Sequence, residues 1–357
     1  MGTRADARRD SNSSRQVRSE LAVLLRRITI IHVATSRASA RRAHELDPGD
    51  VIEGRYRIVR KLADGGMGTV FLAEHVLIKR RMAIKVLHAE LAADRGMIDR
   101  FMSEAAAAGT LGHPHIVEST DMGFTGDGVP YIVFEYLEGC LLTEEILRLG
   151  RLPLRRALAI ARQIASALEA AHNAHIAHLD LKSDNVFLTD RGEALDHAKL
   201  LDFGIARFMS AADHTTQPNV LMGTPEYMAP EQVTSPDAVD CRVDIYALGV
   251  LLYEMLTGHC PFVSDDPCQV LAQIVHEPPP ALNRLVPPTL ECLLFYGLLV
   301  KPRDHRLQTM GEVMTILDSL IAAVRSGQPE ALDTFDDPGR PGGAARGVGT
   351  VEPRPRA

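Results

Sequence analysis

Nowhere does this sequence hold an uninterrupted apolar run near the ~20 residues that a membrane-spanning helix needs. The nearest stretch, LAVLLRRITIIHVA (21–34), is broken by Arg26 and Arg27 and lacks a convincing small-residue cleavage site. It reads as an amphipathic helix, or as the sign of a translation start placed too far upstream, rather than as a secretory signal. The cysteines are five, an odd number: Cys140, Cys241, Cys260, Cys268 and Cys292. No Cys-x-x-Cys pair or Cys/His cluster has zinc-like spacing, so reduced thiols in a cytoplasmic protein are expected. A surplus of positive charge is missing too. The net charge is −7 and the pI about 6.1, which sets aside a dedicated nucleic-acid binder, and no nucleic-acid partner is expected. There is no internal repeat.

What is present is unevenly distributed. Residues 1–42 carry ten Arg, no Lys and three acidic residues, a net of +7, which leaves −14 for the rest. Residues 1–50 read as an Arg-rich extension, solvated and disordered in preference to a nucleic-acid or membrane-surface arm. The tail 324–357, rich in Gly, Pro and Arg and poor in large apolar residues, also reads as disordered. Between them, 51–323 has globular patterning throughout.

That central zone changes character partway. RYRIVRKL (55–62), TVFLAEH (69–75) and MAIKVL (82–87) predict successive short strands, followed by a helix around Met97–Thr110 and two strands within HIVESTDMGF and VPYIVFEYL. After Gly139 the pattern is mostly helical. LRRALAIARQIASALEAAH places Ile160, Ile164, Leu168 and Ala171 on one face, and DIYALGVLLYEML (244–256) is apolar nearly all round, as a helix at a domain centre would be. A small β-rich part before a large α-rich part predicts an α+β protein of two lobes with a cleft between them (about 55–137 and 138–323).

Polar residues gather where that cleft should be. LADGGMGTVF (62–71) brings Gly65, Gly66 and Gly68 into a strand–turn–strand, where backbone N–H groups can approach a polyphosphate, with Val70 over a planar base. Alone, such a hairpin specifies no ligand, and it lacks the G-K-[ST] ending of a P-loop. Lys85, fifteen residues beyond Val70, sits among Ala83, Ile84 and Val86, so its ammonium requires an anionic partner; Glu104 in the helix FMSEAAAAGTL is the candidate. In HLDLKSDN (178–185), Asp180 can accept or steer a hydroxyl proton, Lys182 can neutralise a phosphoryl group in flight, and Asn185 offers an amide oxygen to a hard cation. Asp202 follows in LLDFGIA, seventeen residues after Asn185, placed to ligate a phosphate-bridging metal. GTPEYMAPE (223–231) precedes the buried helix. Five motifs in this order, each in a fitting strand or helix setting, are far more specific than any one.

Together these residues, over about 55–322, resemble a protein kinase catalytic domain, and the lead-in DPGDVIEGRYRIVRKL with the GGMG turn is similar to the bacterial eukaryotic-like (Hanks-type) serine/threonine kinases. The resemblance implies a bilobal fold, a small β-rich N-lobe with one main helix and a larger helical C-lobe. It implies ATP with Mg²⁺, or Mn²⁺ in its place, as cofactors. Gly65, Gly66 and Gly68 would cover the phosphates, with Leu62, Val70, Ala83 and Phe187 enclosing adenine. Phe134 would be the gatekeeper, and Glu135 to Leu137 the hinge. Lys85, paired with Glu104, would hold the α- and β-phosphates; Asp180 would be the catalytic base or hydroxyl-orienting residue, Lys182 its partner, and Asn185 and Asp202 the metal ligands. Glu231 would pair with Arg306. Lys182 and Thr224 match the serine/threonine pattern, so proteins carrying those hydroxyls are the implied substrates in bacterial signalling, with self-association for autophosphorylation a possible further contact.

Three positions depart from the pattern. Ala63 replaces a glycine, which a negative φ tolerates; Ser183 replaces the usual proline, which predicts a slightly looser turn; Leu179 stands where arginine is usual. Leucine cannot make a charge-assisted contact to a phosphorylated activation segment, so control independent of phosphorylation at Ser210, Thr215 and Thr216 is expected. The alternative is a pseudokinase serving as a nucleotide-binding scaffold, but Lys85, Asp180 and Asp202 are all intact. A small-molecule phosphotransferase would not need the GTPEYMAPE ledge.

Overall fold

The computed structural model describes residues 46–189, 196–202, 207–208, 224–282 and 285–326. Ser210, Thr215 and Thr216, the residues after Asp202 in LLDFGIA, the stretch 21–34 and most of both terminal segments lie outside them.

A six-stranded antiparallel sheet, ordered β1-β2-β3-β4-β6-β5, makes the first lobe: β1 Val51–Ile52, β2 Tyr56–Asp64, β3 Gly68–His75, β4 Arg81–Leu87, β5 Ser119–Phe124 and β6 Pro130–Glu135. Along β2, Tyr56 and Ile58 point inward while Arg57 and Val59 face solvent, the period-2 alternation of a one-sided strand. The helix α1 (Arg95–Leu111) begins at Asp94, whose carboxylate accepts from the Gly96 N–H, and ends at Gly112 in the left-handed region. Its Phe101 and Ala105 pack on Leu87, Ile132 and Phe134, while Tyr56, Ile58, Phe71, Ile84, Tyr131 and Val133 form a second cluster. Ala63 pairs with Val70 in the β2–β3 ladder and is not among the positive-φ residues, so its methyl is accommodated there.

The second lobe is helical. β7 (Gly139–Leu141) leads into α2 (Leu142–Leu149) and α3 (Leu154–Asn173); the short strands β8 (Ile176–Ala177), β9 (Val186–Thr189), β10 (His197–Leu200) and β11 (Arg207–Phe208) follow, then α4 (Pro230–Thr234), α5 (Arg242–Thr257), α6 (Pro267–His276), α7 (Pro288–Cys292) and α8 (Met310–Arg325). Ile160, Ile164, Leu168 and Ala171 of α3 are all buried, as their spacing predicts. Every residue of α5 from Val243 to Tyr253 is buried, the pattern of a helix with no solvent face. Gly139, at φ +149°, marks the join between lobes: an added Cβ would lie 1.9 Å from the Leu188 carbonyl oxygen.

Candidate active site

The cleft between the lobes receives side chains from both. From the sheet, the β2–β3 turn is closed by a Gly65 N–H to Gly68 C=O hydrogen bond of 2.9 Å. A Cβ on Gly68 would come within 2.3 Å of the Val86 oxygen, so this close backbone approach demands glycine. Leu62, Val70, Ala83, Leu137 and Phe187 are each half-buried, leaving apolar surface for a planar group, and Phe134 is buried behind them against Phe101. In the hinge the Glu135 N–H donates to Glu118 C=O, whereas the Leu137 N–H and C=O make no hydrogen bond among the described residues.

Lys85 lies deepest, 8% exposed. Its ammonium donates to both Glu104 oxygens, at 2.8 and 2.9 Å, and to Asp202 at 3.0 Å. Burial alone would lower the Lys85 pKa, but the Glu104 and Asp202 carboxylates outweigh it and hold it above the ordinary lysine value. Burial, then the Asp202 carboxylate, pushes Glu104 up to about 8 against the pull of Lys85. α1, β4 and the strand-end after β10 are thus gathered on one cation.

The second group faces them. Asp180 accepts from the Thr224 N–H at 3.2 Å and lies 3.0 Å from the Lys182 ammonium, which also donates to the Thr224 hydroxyl at 2.9 Å. Asn185 donates its amide N–H to the Asp180 carbonyl at 2.8 Å, which fixes its oxygen in the opposite direction. The Leu201 N–H donates to the Asn185 carbonyl, linking this loop to the segment that carries Asp202. Asn185 and Asp202 offer oxygen donors alone, a donor set suited to a hard divalent cation that completes its shell with phosphate oxygens and water.

The loop is held by a residue that the motifs do not reveal. Asp244, at the start of α5, is fully buried; its carboxylate accepts from the His178 N–H at 2.8 Å and the Leu179 N–H at 2.9 Å, and lies 2.8 Å from His172 Nε2. Burial would raise its pKa, but His172 and the His178 N–H hold it below the carboxylate range. Leu179 sits at φ +67°, a conformation that costs a non-glycine residue about 1–3 kcal/mol, and the Asp244 anchor holds it there. The Leu179 side chain packs on the lobe's core. An acidic residue opening a helix that is apolar all round was the one sequence signal for Asp244.

Ser183 corrects an expectation. Rather than loosening the turn, it is 3% exposed, with its hydroxyl 3.0 Å from the Tyr227 hydroxyl, 3.1 Å from Glu254 Oε1 and accepting from Thr143 at 2.7 Å. Its N–H, which proline lacks, also faces the Tyr227 oxygen at 3.4 Å. Glu231 and Arg306 form the expected pair, two-pronged at 2.7 and 3.0 Å.

Residues 56–300 match the family model for the protein kinase domain. The chain belongs to the protein kinase family. This chain is 41% identical over 258 residues to the serine/threonine-protein kinase Pkn1 of Myxococcus xanthus, covering 71% of this chain and 36% of the relative. It is 41% identical over 281 residues to pkn2 of the same organism, covering 76% and 33%, and 38% identical over 308 residues to PknA of Mycobacterium tuberculosis H37Rv, covering 85% and 69%. The chain thus spans about a third of the length of the two Myxococcus relatives. The family uses ATP and a divalent metal. Among the described residues, no helix is long and apolar enough to cross a membrane.

Proposed function

We propose that this chain transfers the γ-phosphoryl group of ATP to serine and threonine hydroxyls of proteins in bacterial signalling. The observation that carries the reading is Lys85, drawn between Glu104 and Asp202 while Asp180, Lys182 and Thr224 stand together across the cleft. In this reading Lys85 holds the α- and β-phosphates, the Leu137 backbone meets the adenine edge, and Asp180 orients the acceptor hydroxyl and takes its proton. Lys182 neutralises charge on the phosphoryl group as it moves. Asn185 and Asp202 would hold Mg²⁺, with Mn²⁺ a possible substitute; the metal supplies charge neutralisation across the phosphates. A cytoplasmic location is supported by five free cysteines. Self-association for autophosphorylation is supported by the exposed Leu77 and Ile78 at the β3–β4 turn, 82% and 68% accessible.

The direct test supplies γ-labelled ATP, Mg²⁺ and dephosphorylated casein, with Lys85→Met as control. Label on phosphoserine or phosphothreonine above that control is expected. Label no greater than the control, with nucleotide still bound, would leave the pseudokinase scaffold as the better reading.

A second expectation concerns Leu179. Leucine offers no charge to a phosphorylated activation segment, and the Asp180–Thr224 and Ser183–Tyr227 hydrogen bonds already tie the catalytic loop to the far end of that segment. Replacing Ser210, Thr215 and Thr216 together by alanine is therefore expected to leave kcat within a few-fold of the parent. Collapse of activity would show that loop phosphorylation is required after all.

A further inference from the structure

The turn from Gly65 to Gly68 has little side chain with which to hold itself, yet its outer face carries a compact polar cluster. Asp64 ends β2 opposite Thr69, and the Thr69 hydroxyl donates to Asp64 Oδ1 at 2.7 Å. His88 Nε2 reaches the same oxygen at 3.2 Å and the Thr69 hydroxyl at 3.4 Å, and Lys61 donates to the other Asp64 oxygen. His88 is the residue after β4, three positions from Lys85. Its own N–H donates to the Met67 carbonyl at 3.0 Å, and the Met67 side chain packs on the cluster around Leu87 and Phe101. Thr69 neighbours Val70, and successive strand residues point to opposite faces, so the cluster sits on the side of the hairpin away from the base. The Lys61 and Thr69 contacts hold the Asp64 carboxyl well below the usual carboxylate range.

We propose that Asp64, Thr69 and His88 form an outer latch that fixes the glycine turn to the strand carrying Lys85, making His88 a positioning residue for ATP. The inference rests on the reading of Gly65 to Gly68 as the phosphate cover. A turn of three glycines and one methionine has much conformational freedom to lose when a ligand orders it. A latch that removes that freedom beforehand strengthens nucleotide binding without touching the nucleotide. It also moves the cover and Lys85 as one body.

The test uses the full chain with His88→Ala and Thr69→Val, against the conservative His88→Gln and Thr69→Ser, which keep a donor toward Asp64. The KM for ATP is expected to rise about 1.5-fold to fivefold in the first pair, the scale of one exposed polar pair. kcat and the melting temperature should hardly move, and the conservative pair should lie near the parent. The Kd of a fluorescent ATP analogue should follow KM, which reads the latch even where no protein substrate turns over. Unchanged KM and Kd in the first pair, or a fall in kcat alone, overturns the latch. Conservative variants as impaired as the alanine and valine ones overturn it equally. A parent protein that binds the analogue but transfers no phosphate fails the functional reading while leaving the latch measurable; a parent that binds no nucleotide overturns both.

Discussion

Asp180→Asn is expected to lower kcat by about 10²- to 10⁴-fold, the usual contribution of a positioned acid–base group, while the KM for ATP changes by less than about twofold. The split follows from the geometry. Asp180 shares its contacts with Lys182, Thr224 and Asn185, whereas Lys85 is held by Glu104 and Asp202. An asparagine there keeps the shape but loses the charge and proton affinity. It also leaves the Lys182 ammonium without its anion at 3.0 Å. Steady-state kinetics at saturating protein substrate, with a melting curve to show the fold intact, makes the measurement. A variant retaining more than about a tenth of the parental kcat would remove Asp180 from the transfer step.

Arg306→Met is expected to have the largest effect on stability, about 3–5 kcal/mol, because it strands a buried carboxylate. The Arg306 side chain is fully buried and its partner Glu231 nearly so. Besides the two-pronged pair, the guanidinium donates to the carbonyls of Val300 at 3.0 Å, Arg242 at 2.7 Å and Lys301 at 3.3 Å, and lies over the Tyr246 ring at 5.1 Å. Methionine matches much of the volume and none of the donors. For a domain of this size the melting temperature should fall by roughly 10 °C. Glu231→Gln added to Arg306→Met should recover part of the loss, since the uncompensated charge is then gone. A single variant that melts with the parent would show that this pair stabilises nothing.

The elements with a strong period are legible in the sequence. The strands β2, β3 and β4, the helix around Glu104 and the almost wholly apolar helix that carries Asp244 lie within a few residues of their expected bounds. Their hydrophobic spacing is local information, readable from neighbours in the chain. Lys85 and Glu104 were legible as candidate partners because a cation among apolar residues demands an anion. The polar wiring was not. Ser183 meets Tyr227 across 44 residues and Glu254 across 71, and nothing near Ser183 in sequence announces either. Judged locally, serine for proline is only a loss of stiffness; its gain of a donor and a hydroxyl matters once α5 and the loop before α4 are in place. Asp64 and His88, 24 residues apart, were likewise invisible until the strand register set them side by side.

The Asp244 anchor has a consequence for how the chain opens. The His178 and Leu179 amides belong to irregular backbone, yet their protons are bound to a carboxylate rooted in α5, which is buried on every side. Their isotope exchange is tied to the opening of α5, and hence to unfolding of the lobe. The catalytic loop, a coil by its backbone, thus belongs to the same cooperative unit as the core.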